Sequence, residues 1–360
     1  MSDETENTPN KEKIPIGARL KALWPGHDST EDAPNKIKIP IGLKLKVWWE
    51  GYDSDEIAAR IAERAGNAGT DDLDDTPAER KATETLDASL PVDPWNEETI
   101  EIAQYVWGDG FCGPGGPEYI VGLSKLLALS PEMSMVQLGA GLGGPARTLA
   151  ERFGVWVTGY EASEQLVAAG NKLSKIAGME KKAAITYYNP EEHDDFERQF
   201  DRILSKEALF TIKNKSGMIH AVEEKLKPSG LFLITDYVVA NDSVYSKDTY
   251  KQWRVGEPCD PCPSTVDGLK NILKEVKLQV RVSEDITDEY ISLINHAWAG
   301  ADKVAAKLVK QENGPALIQT LMREAEFWAR RKKMLESGDL RLWRIVANKK
   351  AGLTTGMSDW

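Results

Sequence analysis

With 45 lysines and arginines against 57 aspartates and glutamates over 360 residues, the chain carries a formal charge of −12, which argues against a general nucleic-acid-binding surface. Its apolar share of 41% allows a sizeable core, yet no run approaches the ~18 apolar residues of a membrane span, and the start shows no signal-peptide hydrophobic stretch. Three cysteines, Cys112, Cys259 and Cys262, are too few for a disulfide framework, so a cytoplasmic location is expected.

The chain opens on an internal repeat. Pro9-Asn-Lys-x-Lys-Ile14-Pro-Ile-Gly17-x-x-Leu20-Lys-x-x-Trp24-x-Gly26-x-Asp28-Ser29 returns from Pro34, with Ile39, Pro40, Ile41, Gly42, Leu45, Lys46, Trp49, Gly51, Asp53 and Ser54 in register. Two copies cannot stack into a solenoid. Each reads as a short docking element, an extended Ile-Pro-Ile followed by a helical turn or two carrying Leu, Trp and Lys. Residues 9–54 would then tether the chain twice to a partner protein or to an anionic membrane surface, making it peripheral to that membrane. The alternative is a duplicated segment packed on its own domain. From Asp53 to Asp87 the chain turns acidic and alanine-rich, with no aromatic after Tyr52. Such a segment cannot bury enough apolar surface to offset its ordering entropy. Residues 1–93 are thus expected as a disordered tail, 94–350 as the folded domain and 351–360 as a disordered C-terminus.

From Pro94 helices and strands alternate, which predicts an α/β domain with a mainly parallel sheet and helices on both faces. Helices are expected at 97–107 and 117–129, around the glycine-rich stretch 108–116. Strands are expected at 134–138, 155–160, 183–188, 201–205 and 231–236. A loop at 240–263, a helix near 265–275 and a strand at 278–283 come next. Two long amphipathic helices, about 287–311 and 315–336, precede a closing strand at 340–347. These helices interrupt a terminal hairpin and are expected to fold over the sheet edge as a lid, spanning about 286–337. Cys259-Asp-Pro-Cys262 reads as a proline-rich loop, since no second Cys/His pair stands at ligand spacing and no metal site is expected.

The first strand runs into Gly139-x-Gly141-x-Gly143-Gly144, then a helix with Pro145 at an early position, then a second strand ending at Glu161. This lets a backbone turn approach an adenosine-bearing cofactor, with a carboxylate about 20 residues on to hold its ribose. The pattern alone suits a nicotinamide dinucleotide as well as S-adenosylmethionine.

Over about 95–350 the chain resembles the class I S-adenosylmethionine-dependent methyltransferases, and among them the phosphoethanolamine and related small-molecule N-methyltransferases. The resemblance rests on motif order: Trp107–Gly116 ahead of the cofactor strand, Tyr187-Tyr-Asn189-Pro190 closing the third strand, Ser205–Lys215 at the fourth, Ile234-Thr-Asp236-Tyr237 at the fifth, and the ending from Phe327 through the closing strand. It implies a Rossmann-like sheet, S-adenosyl-L-methionine as cofactor and Gln137, Gly139, Gly141, Gly143, Glu161, Asn189 and Ser205 around it. It implies methyl transfer to a small-molecule or lipid-like acceptor, with no nucleic acid partner.

The chain also departs from that group. The acid usually found two residues before the first glycine is Gln137, and the third-strand acid is Asn189. The group's Tyr/His pair aligns with Trp95 and Thr211, neither of which serves as a base. Tyr237 is retained from the phosphate clamp, but Cys259 and Pro261 stand where Arg and Tyr are expected, which makes phosphoethanolamine itself a poor substrate. Arg330, Arg331, Lys332 and Lys333 are expected mainly as a charged helix surface, and His220 and His296 as half-buried helix residues. Tyr105, Glu207 and Tyr237 are left as candidate catalytic residues. The rival reading is a catalytically weakened methyltransferase-like subunit that acts as a scaffold through its N-terminal repeats.

Overall fold

The computed structural model describes residues 93–192, 196 and 198–351. The repeats, the acidic linker and the C-terminal nine residues lie outside them, and so do the expectations attached to them. The elements in chain order are α1 (Glu97–Trp107), α2 (Pro117–Ser124), β1 (Ser134–Leu138), α3 (Gly144–Phe153), β2 (Trp156–Glu161), α4 (Glu164–Ile176), β3 (Ala183–Tyr187), β4 (Phe200–Lys206), α5 (Lys215–Lys225) and β5 (Leu226–Val239). Then come α6 (Asp248–Val255), α7 (Val266–Glu275), β6 (Gln279–Asp285), α8 (Thr287–Trp298), α9 (Ala301–Leu308), α10 (Gly314–Glu336) and β7 (Leu340–Asn348).

The seven strands form one sheet in the order β3-β2-β1-β4-β5-β7-β6. The first five pair in parallel, and β7 lies antiparallel between β5 and β6. Right-handed crossovers of parallel strands place helices on both faces, and each face has its own core. One buries Ile102, Ile120, Leu149, Ile294, Leu321 and Leu335 from α1, α2, α3, α8 and α10. The other buries Met218, Ile219, Val222, Leu269 and Leu273 from α5 and α7. Among the described residues no helix is long and apolar enough to cross a membrane.

Three expectations are corrected. The helix anticipated at 287–311 is two, α8 and α9, because Ala299 and Gly300 break the run and Gly300 starts the next helix. The anticipated loop at 240–263 contains a 3-10 turn (Asp242–Ser246) and α6, whose Tyr250 and Trp253 supply a buried edge three residues apart. The fifth strand begins at Leu226, five residues early, with its irregularity taken up where Phe200 pairs with Leu226 and Arg202 with Leu231. The helical insertion before the last strand is present. Its α10 packs on α1 and α6 as well as on β7, and Trp328 meets Trp107 at 4.6 Å between ring centroids.

Candidate functional site

The carboxyl ends of β1, β2 and β4 open onto a cavity of about 260 Å3. Its floor is the glycine turn. Gly139 and Gly141 have φ of 68° and 55°, a region that L side chains avoid. A Cβ on Gly139 would stand 2.9 Å from the Ala208 Cβ, and one on Gly141 would stand 2.4 Å from the Cys112 Sγ. Bare backbone is therefore required at the two positions that line the cavity. Glu161 ends β2 on the same floor. Its Oε2 accepts the Gly141 N–H at 2.7 Å, and its Oε1 accepts the N–H groups of Ala162 and Ser163 at 2.9 and 3.2 Å. A carboxylate offers about four lone-pair sites, so one on Oε2 is left unoccupied by these three bonds. Burial pushes this carboxyl above the ordinary carboxylate range, against the pull of the three backbone donors.

The stretch 108–116 closes over this floor. The Gly144 N–H, first in α3, donates to the Gly110 carbonyl at 2.8 Å, and Phe111, Cys112, Gly113 and Pro114 line the cavity. Burial pushes the Cys112 thiol up to about 12, with the Glu161 charge adding to it, which keeps it a neutral apolar wall.

The far wall is aromatic and polar together. Trp95, Phe210, Tyr290 and Trp328 line it with Glu207 and Arg331. Glu207 succeeds β4 with φ 46°, a strained conformation for a non-glycine residue. Its Oε1 accepts the Thr235 hydroxyl at 2.7 Å, and its Oε2 takes the Lys206 ammonium and, at 3.5 Å, the Tyr290 hydroxyl. The chain of contacts continues from the Tyr237 hydroxyl, which donates to that of Tyr290 at 2.8 Å. Arg331 reaches the Tyr237 oxygen at 3.4 Å and forms a two-pronged pair with Glu257. Burial pushes both tyrosines above the ordinary phenol range. Both are therefore neutral hydrogen-bonding groups across physiological pH.

Of the residues anticipated around the cofactor, Gly139, Gly141 and Glu161 line the cavity. Gly143 turns the chain into α3, its φ 75° and the close Ile185 side chain leaving no room for a Cβ. Gln137 and Ser205 are fully buried beneath, with the Gln137 Oε1 and the Ser205 Oγ unpaired among the described residues. Asn189 lies at the rim: its Oδ1 accepts the Glu191 N–H at 3.1 Å, closing its own turn, and its neighbours Tyr188 and Pro190 line the cavity. Tyr105 lies on the exposed face of α1, its hydroxyl accepting the Gln311 side-chain N–H at 3.0 Å, outside the lining of the cavity. Tyr237 sits behind Tyr290, a residue that sequence alone does not single out because nothing at the start of α8 marks it. Of the four basic residues on α10, Arg331 turns inward while Arg330 pairs with Glu326 at 2.8 Å on the outside. Trp95 and Thr211 both line the cavity, and no metal-binding group of His, Cys, Asp and Glu occurs among the described residues.

An adjoining chamber of about 420 Å3 shares Trp95, Glu257, Trp328 and Arg331 with the first. Glu324 of α10 borders it half-buried, and burial pushes its carboxyl to about 7 against the opposing charges of Arg331 and Arg323. A carboxyl raised in the folded state stabilises the protein below its unfolded value of 4.5, and that contribution is lost as pH rises through 7. Glu324→Gln is therefore expected to be more stable than the parent at pH 8 by about 2 kcal/mol, with the gap closing by pH 5. Urea midpoints at the two pH values check this.

A family model described as mycolic acid cyclopropane synthetase matches residues 120–321. Among curated proteins, the chain is similar to phosphoethanolamine N-methyltransferase of Plasmodium falciparum (isolate 3D7), 24% identical over 203 residues, which is 56% of this chain and 74% of that protein. It is 25% identical over 200 residues to phosphoethanolamine N-methyltransferase 3 of Arabidopsis thaliana, covering 55% of this chain but only 39% of the relative. Among solved structures, Haemonchus contortus phosphoethanolamine N-methyltransferase 2 in complex with S-adenosyl-L-methionine superposes with a TM-score of 0.59 at 21% identity, over 70% of this chain and 56% of that one. At that identity the likeness is one of fold.

Proposed function

The chain belongs to the mycolic acid cyclopropane synthetase family, and from that premise we propose that it transfers the methyl group of S-adenosyl-L-methionine to a small-molecule or lipid-like acceptor. The observation that carries this reading is the pairing, in one cavity, of side-chain-free backbone at Gly139 and Gly141 with the Glu161 carboxylate. That cradle fits an adenosine-bearing group. Glu161 would accept the ribose hydroxyls through its open lone pair and by exchanging the Gly141 N–H. Gly143 holds the turn, while Gln137 and Ser205 offer unpaired oxygens just beneath it. Asn189 shapes the rim through its turn.

When bound, the cofactor supplies a methyl group activated on a sulfonium. The residues of this chain then hold the acceptor in line and keep water out. Trp95, Phe210, Tyr290 and Trp328 form the dry wall. Glu207, held by Thr235 and Lys206, is the carboxylate placed to orient an acceptor hydrogen or to face a developing positive charge. Tyr237 acts through Tyr290 as a positioning residue. Trp95 and Thr211 provide no base, so the acceptor is one that is already nucleophilic at neutral pH. Residues 9–54 are read as the part that brings this domain to a partner protein or an anionic membrane surface.

Calorimetry tests the central claim. S-adenosylmethionine is expected to bind the full chain one to one, and deletion of residues 1–60 is expected to leave that affinity unchanged. No heat at millimolar cofactor would remove the reading, and an affinity that changes with the deletion would place the repeats in the site.

A further inference from the structure

A second cavity, of about 610 Å3, shares no lining residue with the first. Its walls are the start of α5 with the preceding Lys213 and Asn214, the face of Tyr245, Tyr250 and Arg254, and the stretch from Pro261 to Ser264. Lys213, Lys215 and Arg254 line it, and no carboxylate does. The carboxylates nearby are engaged. Glu191 accepts the N–H groups of Lys213 and Asn214 at 2.7 and 3.1 Å, and Asp260 pairs with Arg254 at 2.6 and 2.8 Å. The Lys215 ammonium is buried against the carbonyls of Ile212 and Cys262, while the exposed Lys213 ammonium acts on the Asp260 carboxylate only through space.

Two further sets of donors face this space. Asn214 caps α5 by accepting the Gly217 N–H at 2.9 Å, which leaves the N–H groups of Lys215 and Ser216 without an acceptor in the helix. They stand at the positive end of an 11-residue helix. Independently, Tyr250 is only 5% exposed, packed between Tyr245 and Trp253 at 5.5 Å from each ring. It lines the cavity, and its hydroxyl bonds no described residue. The ring is buried while the hydroxyl oxygen stays accessible and unbonded, so it is free to meet a ligand that enters the cavity.

We infer that this second cavity binds a phosphate monoester, its oxygens taken by the Lys213 ammonium, the Lys215 and Ser216 N–H groups and the Tyr250 hydroxyl. The cavity volume exceeds what a bare phosphate needs, and Tyr245 and Ile272 offer apolar surface for the organic part. The inference stands apart from the methyl-transfer reading. Two stretches border both sites: one gives Glu257, Pro258 and Cys259 to the first cavity and Pro261 and Cys262 to the second, and the other gives Phe210 and Thr211 to the first and Lys213 to Ser216 to the second.

The test is titration of the full chain with inorganic phosphate and with phenyl phosphate at fixed ionic strength, read by calorimetry. Saturable binding is expected, tighter for phenyl phosphate, weakened about tenfold by Lys213→Glu and several-fold by Tyr250→Phe. Thermal melts like that of the parent show that both variants fold, and any affinity for S-adenosylmethionine should be unchanged in them. Sedimentation with vesicles containing phosphatidic acid, against phosphatidylcholine alone, separates a lipid headgroup from a free metabolite. Vesicle binding lost in Lys213→Glu assigns the phosphate to a lipid, and binding of the soluble probes alone assigns it to a metabolite. Equal affinity in parent and variants, or phosphate displaced by S-adenosylmethionine, would overturn the inference.

Discussion

Arg331→Met is expected to destabilise the folded domain by about 3–5 kcal/mol, because it leaves a buried carboxylate without its counter-charge. The Arg331 and Glu257 side chains are 9% and 2% exposed. The guanidinium also lies 4.4 Å from the Phe327 ring centroid and 5.0 Å from that of Trp328. Burial alone would lower the Arg331 pKa, yet the Glu257 carboxylate more than reverses this, so the guanidinium stays charged. The substitution keeps much of the apolar contact while removing the charge together with its hydrogen bonds to Glu257 and Tyr237. Arg331→Met with Glu257→Gln should recover a large part of the loss, since the orphaned charge goes with it. Denaturant unfolding of the parent, the single and the double variant measures both effects. A single-variant loss below about 1 kcal/mol would show that the pair contributes little, and no recovery in the double would show that the loss does not come from the orphaned Glu257 charge.

The second large effect is on the cofactor. Glu161→Ala is expected to weaken S-adenosylmethionine binding by about two to three orders of magnitude, the consequence of losing two hydrogen bonds to a charged acceptor. Part of the loss is indirect, because the N–H groups of Gly141, Ala162 and Ser163 lose their acceptor as well. Glu161→Gln separates the contributions, since the amide oxygen still accepts from backbone but presents no charge to a ribose. Calorimetry with a thermal melt of each variant decides the matter. Unchanged affinity in a folded Glu161→Ala protein would remove the carboxylate from the site.

The parts of this site visible in the sequence are those whose geometry is local. Gly139, Gly141 and Glu161 belong to one strand–turn–helix–strand unit, so their spacing alone brings them together. Tyr290, Cys112 and the Arg331–Glu257 pair reach the cavity by long-range packing. Their partners lie 74 residues away in the case of the ion pair and 53 in the case of the Tyr237–Tyr290 bond, and no local pattern announces either. Asn189 shows a different limit of local reading. Its place at the end of the third strand follows from strand order, but the bond its amide oxygen accepts from a backbone N–H two residues on, a local contact that asparagine often makes, is not written in the motif. The sheet was legible because apolar runs bounded by turns recur at even spacing. α6 was not, because Tyr250 and Trp253 give it too short an apolar edge to stand out from a polar loop.

The placement of β7 has a consequence for how this domain comes into being. Residues 340–348 pair with β5 on one side and β6 on the other, so the sheet cannot close until almost the last of the described residues has left the ribosome. Until then β5 presents the long free edge of Leu231–Val239, largely buried in the finished fold, and such an edge readily recruits other chains. The nascent protein is thus most exposed to aggregation late in synthesis, while the three helices ahead of β7 are being made.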